Sequence, residues 1–419
     1  MMRSDPLDCL KILAATMIFI LHMKILDGFD PSNEQFYFMM PAWAGVWIFF
    51  IISGYLSEKG FFDERYTYTL KGIAQYYISR FIKVIIPTYV FISICIILTY
   101  PNFILDNNQV ILSFLTLTYN GIPGTDGIGA TWYVFTIFWL YILAPFLSFA
   151  IKKIKTTKII TIFILLITVI IIGCLIRLYL GNEEDTNWYL DVYTNPFINI
   201  DLFTAGMMAY LIQKKLAISS RWHSSPIKIL SLCMLFSMII INSYIYWAGE
   251  YQGQSHLMWI YQYLFPTIWG VTVLVIIISF KNSDKRVKGI TRKIADLSFS
   301  FYLFHSLIGH QLQTILTISD PLLDHIISIV VVGIVTTVAA VLYQNSINPI
   351  VETINRKISN VIWPMNNNKI IEGGGEATPI ITIKSTRSTY NEINRQHHTI
   401  FNKGIPWASK KQLETIHPC

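Results

Sequence analysis

Two histidines, His22 and His305, stand in strongly apolar surroundings, and the first has a lysine, Lys11, eleven residues before it. At roughly 100° per residue that separation comes within about 20° of three full helical turns. Lys11 and His22 therefore share one helix face, about 16 Å apart along the axis. Imidazole is the side chain best suited to exchanging a proton near neutral pH. An ionisable group inside an apolar segment is costly enough to make function the default reading. The plainer alternative is that Lys11 and Lys24 snorkel as anchors while His22 is a hydrogen-bonded packing residue.

Further groups invite the same double reading. Arg80 and Lys83 lie one turn apart and are followed by Pro87. They form either a cationic cradle for a phosphorylated ligand or a positive anchor at a membrane face. Ser53-Gly54, inside an apolar helix, permits close backbone approach or a local break, and Ser53 also offers a hydroxyl. Trp132-Tyr133 opens another apolar segment where an interfacial aromatic belt is expected. Tyr302 precedes His305 by three residues. Arg177 and Asp201 are charges within apolar runs that either pair with each other or line a cavity. No Walker-type loop, HExxH or GxSxG elbow occurs, so any chemistry belongs to a helix bundle and a polar cavity within it.

The elements that must position these residues follow from composition. Of 419 residues, 53% are hydrophobic and only 14% charged, against about 25% in an ordinary soluble domain. That excludes nucleic-acid-binding, disordered, collagenous and disulfide-framework classes. It leaves an all-α, polytopic integral membrane protein embedded in a lipid bilayer. The five cysteines are scattered, and His397, His398 and His417 match no compact ligand set, so no metal site is expected. A span needs about 20 apolar residues, which yields ten segments: 9–26, 37–57, 82–100, 131–151, 159–180, 196–213, 227–248, 258–280, 296–317 and 325–346. The sixth and ninth carry polar residues inside the run, and 110–119 is too short to span. The first reads as a retained span, because no A-x-A cleavage signal follows it.

Basic residues alternate with this division. Segments 57–83, 152–158, 214–228, 281–293 and the tail from 352 hold 5, 4, 4, 6 and 9 Lys or Arg, and the intervening loops hold none. The positive-inside rule then places both termini in the cytoplasm. Residues 1–350 form the transmembrane core, and 351–419 a polar cytoplasmic tail, mostly disordered.

Taken together, these segments resemble the acyltransferase 3 family of membrane-bound acyltransferases. Its opening pattern, Leu-Asp and then a basic residue separated by ten others from a histidine, is matched by Leu7, Asp8, Lys11 and His22. Its phenylalanine-rich stretch ending Ser-Gly-Tyr-Leu is matched by Phe49 to Leu56, and its basic pair before proline by Arg80, Lys83 and Pro87. Trp132 to Val134 with Tyr141 to Pro145, and Tyr302 to His305, echo two later motifs. There are departures. Lys11 and Lys83 stand where arginine is usual, keeping charge but losing the bidentate fork. Ile137 stands where many members carry a glutamate.

The resemblance covers about residues 5–350 and implies a ten-span core. It implies transfer of an acyl group, usually acetyl from acetyl-CoA, to a hydroxyl of a surface polysaccharide or its lipid-linked precursor at the inner (cytoplasmic) membrane. Acetyl-CoA would be a substrate, with no permanently bound cofactor. In that frame Lys11, Arg80 and Lys83 hold the CoA phosphates and His22 is the general base. Ser53 or His305 stabilises the oxyanion, while Trp132, Arg177, Asp201 and Tyr302 line the cavity. A glycan or acyl-group transporter of the same architecture, and a noncatalytic scaffold for glycan assembly, remain as rival classes.

Overall fold

A computed structural model describes residues 5–27, 42–99, 108–121, 128–216, 224–280, 285–313, 315 and 321–362. Among these the chain is helical throughout, with no strand. Helix α1 is Asp5–Asp27 and α2 is Ala42–Phe62. Next come α3 (Leu70–Arg80), a π-helical turn (Phe81–Ile85) and α4 (Ile86–Thr99), which form one broken rod. The short α5 is Asn108–Leu115, α6 is Trp132–Lys153 and α7 is Ile159–Leu180. A second π-helical segment, Trp188–Tyr193, leads to α8 (Ile200–Leu216) and α9 (Ser225–Tyr251). The chain ends with α10 (Ser255–Tyr263), α11 (Phe265–Ser279), α12 (Lys285–Gln313) and α13 (Pro321–Ile362).

The described part of each of the ten predicted segments falls mainly on one helix or one broken helix; residues 37–41, 100, 314, 316 and 317 lie outside the described residues. The too-short segment 110–119 coincides largely with α5, eight residues long. Six helices are long and apolar enough to cross a bilayer alone, and the α10–α11 pair, bent by 47°, makes a seventh. Pro266 sits in the first turn of α11, where its missing N–H costs nothing and the preceding helix must stop. The remaining segments lie on α2, α8 and α12. Helix α8 is only 17 residues long, α2 runs into Ser57, Glu58 and Lys59, and α12 carries Asp296, His305 and His310 inside its run; α2 and α8 are largely covered by protein and need not be apolar all round. The result is a multi-pass, all-α membrane bundle. Helix α13 continues past residue 350, where the core was expected to end; the tail from 363 lies outside the described residues.

The bundle is organised around α2. Its most extensive contact is with α8, and α1, α6 and α11 pack around it. A Cβ on Gly54 would run into the backbone carbonyl oxygen of Phe203, and one on Gly206 into that of Ile51. The two glycines thus let the two backbones touch, the close-packed geometry that small residues permit in a membrane. On the other side, α1 packs against α12, bringing the two intramembrane histidines together.

Candidate active site

His22 and His305 meet across the α1–α12 interface, their ring centroids 4.8 Å apart at 74°. Their environments fix their chemistry. Nδ1 of His22 lies 2.8 Å from the Ile18 carbonyl oxygen, and Nδ1 of His305 lies 2.5 Å from that of Tyr302. A carbonyl can only accept, so each Nδ1 donates, and the basic lone pair of each imidazole resides on Nε2. Nε2 of His305 is buried without a hydrogen-bond partner. In this tautomer His305 presents an acceptor, so the oxyanion-donor role considered for it would require a second proton.

The tyrosine one turn before His305 connects this pair to a cavity. The Tyr302 ring lies 5.6 Å from that of His305, tilted at 37°, and its hydroxyl donates to the Ala130 carbonyl. It lines an inner cavity of about 200 Å³ together with Lys11, Ser53, Arg80 and Tyr133. Leu56, Arg80, Val84 and Phe299 line both this cavity and a wider one of about 600 Å³. The wider cavity is a basic mouth that collects Lys59, Arg65, Lys83 and Arg292, with Asp296 and Glu352 as its acids. Cationic mouth, neck and inner cavity therefore adjoin in series, and the histidine pair lies one ring beyond the inner end.

The sequence matches the family model described as an acyltransferase domain, that of acyltransferase 3, over residues 5–344. The chain belongs to the acyltransferase 3 family. No curated protein and no solved structure matches it. In this acyltransferase the family's motif residues lie on five helices or broken helices, α1, α2, the α3–α4 rod, α6 and α12, and several of them line the two cavities.

Arg80 occupies the neck of the acyltransferase because of a local helix defect. Pro87 has no N–H to offer the Lys83 carbonyl, and its ring would collide with that carbonyl in a regular helix. The preceding turn widens instead, the Ile86 N–H reaching back five residues to Phe81, a device found often at functional sites. Arg80 then lies between the rings of Tyr76 and Tyr141, at 5.2 and 4.8 Å. Tyr76 is fully buried, with its hydroxyl 3.0 Å from Ser57 Oγ. Lys83, one turn on, is exposed at the mouth.

The other expected site residues separate. Arg177 and Asp201 pair with each other, through two contacts of 3.0 and 2.5 Å, with Arg177 fully buried and also bonded to the Ile198 carbonyl and Thr267. Neither lines the two cavities, and Gly173 packs directly on the Asp201 carboxylate. Trp132 belongs to an aromatic cluster with Tyr189 and Tyr193 and touches the site through Tyr133. Ser53 lines the inner cavity beside Tyr133. Sequence reasoning missed the convergence of Lys59, Arg65 and Arg292. Each was counted as a basic loop residue, and nothing in their spacing marks them as neighbours.

Proposed function

We propose that this acyltransferase moves an acyl group, acetyl in the first instance, from acyl-CoA to a hydroxyl of a surface glycan or its lipid-linked precursor, at the inner membrane. The observation that carries the reading is the series of basic mouth, neck and inner cavity, with a histidine pair behind the cavity's Tyr302 whose Nε2 atoms are the basic ones. The polyanionic nucleotide end of CoA suits Lys59, Arg65, Lys83 and Arg292 at the cytoplasmic mouth. The uncharged arm then passes Arg80 and Lys11 to present its thioester beside Tyr302.

Nε2 of His22 removes the proton of the acceptor hydroxyl as that oxygen bonds to the thioester carbonyl carbon. The tetrahedral adduct collapses, the C–S bond breaks, and the imidazolium returns the proton to the departing thiolate. The hydroxyl of Ser53 or of Tyr133, both in the cavity wall, donates to the oxyanion. His305 buttresses the His22 ring and shares the proton while it is held. The test is transfer of label from acetyl-CoA to glycan by purified protein in detergent, where transport has no meaning. Labelled ester that depends on His22 supports the proposal; a protein that binds glycan but never consumes acetyl-CoA would instead be a transporter or scaffold.

A further inference from the structure

Three aromatic rings from three helices stand together in the wall of the inner cavity. Phe49 of α2, Tyr133 of α6 and Tyr302 of α12 contact one another pairwise, with centroid separations of 5.8 Å for Phe49–Tyr133, 6.4 Å for Phe49–Tyr302 and 5.8 Å for Tyr133–Tyr302. One of these rings is tied at its far end, the Tyr302 hydroxyl donating to the Ala130 carbonyl. Tyr133 and Tyr302 are buried, and Phe50 packs on Tyr133 at 5.3 Å. Phe49 alone of the three carries no hydroxyl. It is half-buried and is the ring best able to yield.

Resting on the acyl-CoA reading, we infer that this aromatic triangle is an acyl-length stop, with Phe49 its specificity-determining residue, and that it restricts the donor to acyl groups of about two to four carbons. A thioester carbonyl held beside Tyr302 directs its tail into the wall. About 200 Å³ must accommodate both the end of the carrier arm and the tail. Each added methylene then has to displace a ring in a close-packed interior. A single methylene in such a pocket is worth about 10–200-fold in discrimination.

The experiment is displacement of radiolabelled CoA from purified full-length protein in detergent by acetyl-, butyryl-, hexanoyl- and octanoyl-CoA. Affinities are expressed relative to CoA itself, so a variant that only loses its fold loses both terms of the ratio. For the wild type the relative affinity falls by about tenfold or more between butyryl- and hexanoyl-CoA. In Phe49→Ala, and to a lesser degree in Phe49→Leu, hexanoyl-CoA recovers to within about threefold of acetyl-CoA, one methylene's worth of relief or less. Wild-type protein that binds octanoyl-CoA as well as acetyl-CoA overturns the length stop. Phe49 variants with an unchanged chain-length profile overturn it too. Failure of radiolabelled CoA to bind at all overturns the donor reading itself, a separate result that takes this inference with it.

Discussion

Helices α7 and α1 show how little apolarity reveals about importance in a membrane bundle. The spanning window of α7 has a mean hydropathy of 3.3 and is 22% buried, whereas that of α1 has 1.6 and is 61% buried. In water the more apolar helix would be the core. In lipid the relation inverts, because hydrocarbon solvates α7 on its outer faces, while α1 is enclosed by α2, α12 and α13 and can keep Lys11 and His22. Helix α2, central to the fold, is not among the helices apolar enough to span alone. The chemistry sits where protein replaces lipid.

The comparison breaks most severely at the α2–α8 contact. Gly54→Val or Gly206→Val places a branched side chain against a backbone carbonyl that has no room to move. We expect no monodisperse protein on size-exclusion chromatography in detergent; a well-folded variant would show that the two backbones do not touch. Next in size is the proposed base, His22. His22→Asn and His22→Gln preserve bulk and part of the hydrogen bonding, yet each should lower turnover by about 10²–10⁴-fold at normal membrane abundance, since neither serves as a base near neutral pH. Near-wild-type acylation by either would reduce His22 to a packing residue.

The α7–α8 ion pair tests the boundary between the two regimes. Removing one partner, as in Arg177→Ala, leaves an unpaired buried carboxylate and should cost about 3–5 kcal/mol, read as a drop in thermal stability. The double replacement Arg177→Met with Asp201→Leu should recover most of that loss. If the double variant is stable yet loses acyl transfer, the pair acts on substrate after all. The smallest effect belongs to the lipid-facing side of α7. Alanine at Ile164, Ile171 or Leu175, each more than half exposed to the surroundings, should change stability by about 0.5 kcal/mol or less. A large loss at any of them would reveal a partner helix on that face.

Much of the fold was legible because its signals are local. Twenty-residue apolar runs and alternating basic loops are read along the chain, and the described part of each predicted segment lies mainly on a helix or a broken one. The Lys11–His22 spacing likewise needs only helical periodicity. Arg177 and Asp201 show where reading along the chain stops. Both choices, pairing or lining a cavity, were consistent with the sequence, and only the packing of α7 on α8 decides for the pair.

What the sequence determined by itself was the class of the protein, its helices, its family and the identities of the two histidines. Tertiary structure alone decided which of those residues meet. It placed His305 against His22 across a separation of 283 residues, gathered Lys59, Arg65, Lys83 and Arg292 around one mouth, and set rings from three helices together in the wall of the inner cavity. The physical reason is that helix periodicity is set within a few residues by the backbone. Contacts between helices depend instead on which faces can approach, and here that rests on glycines whose only signature is the absence of a side chain.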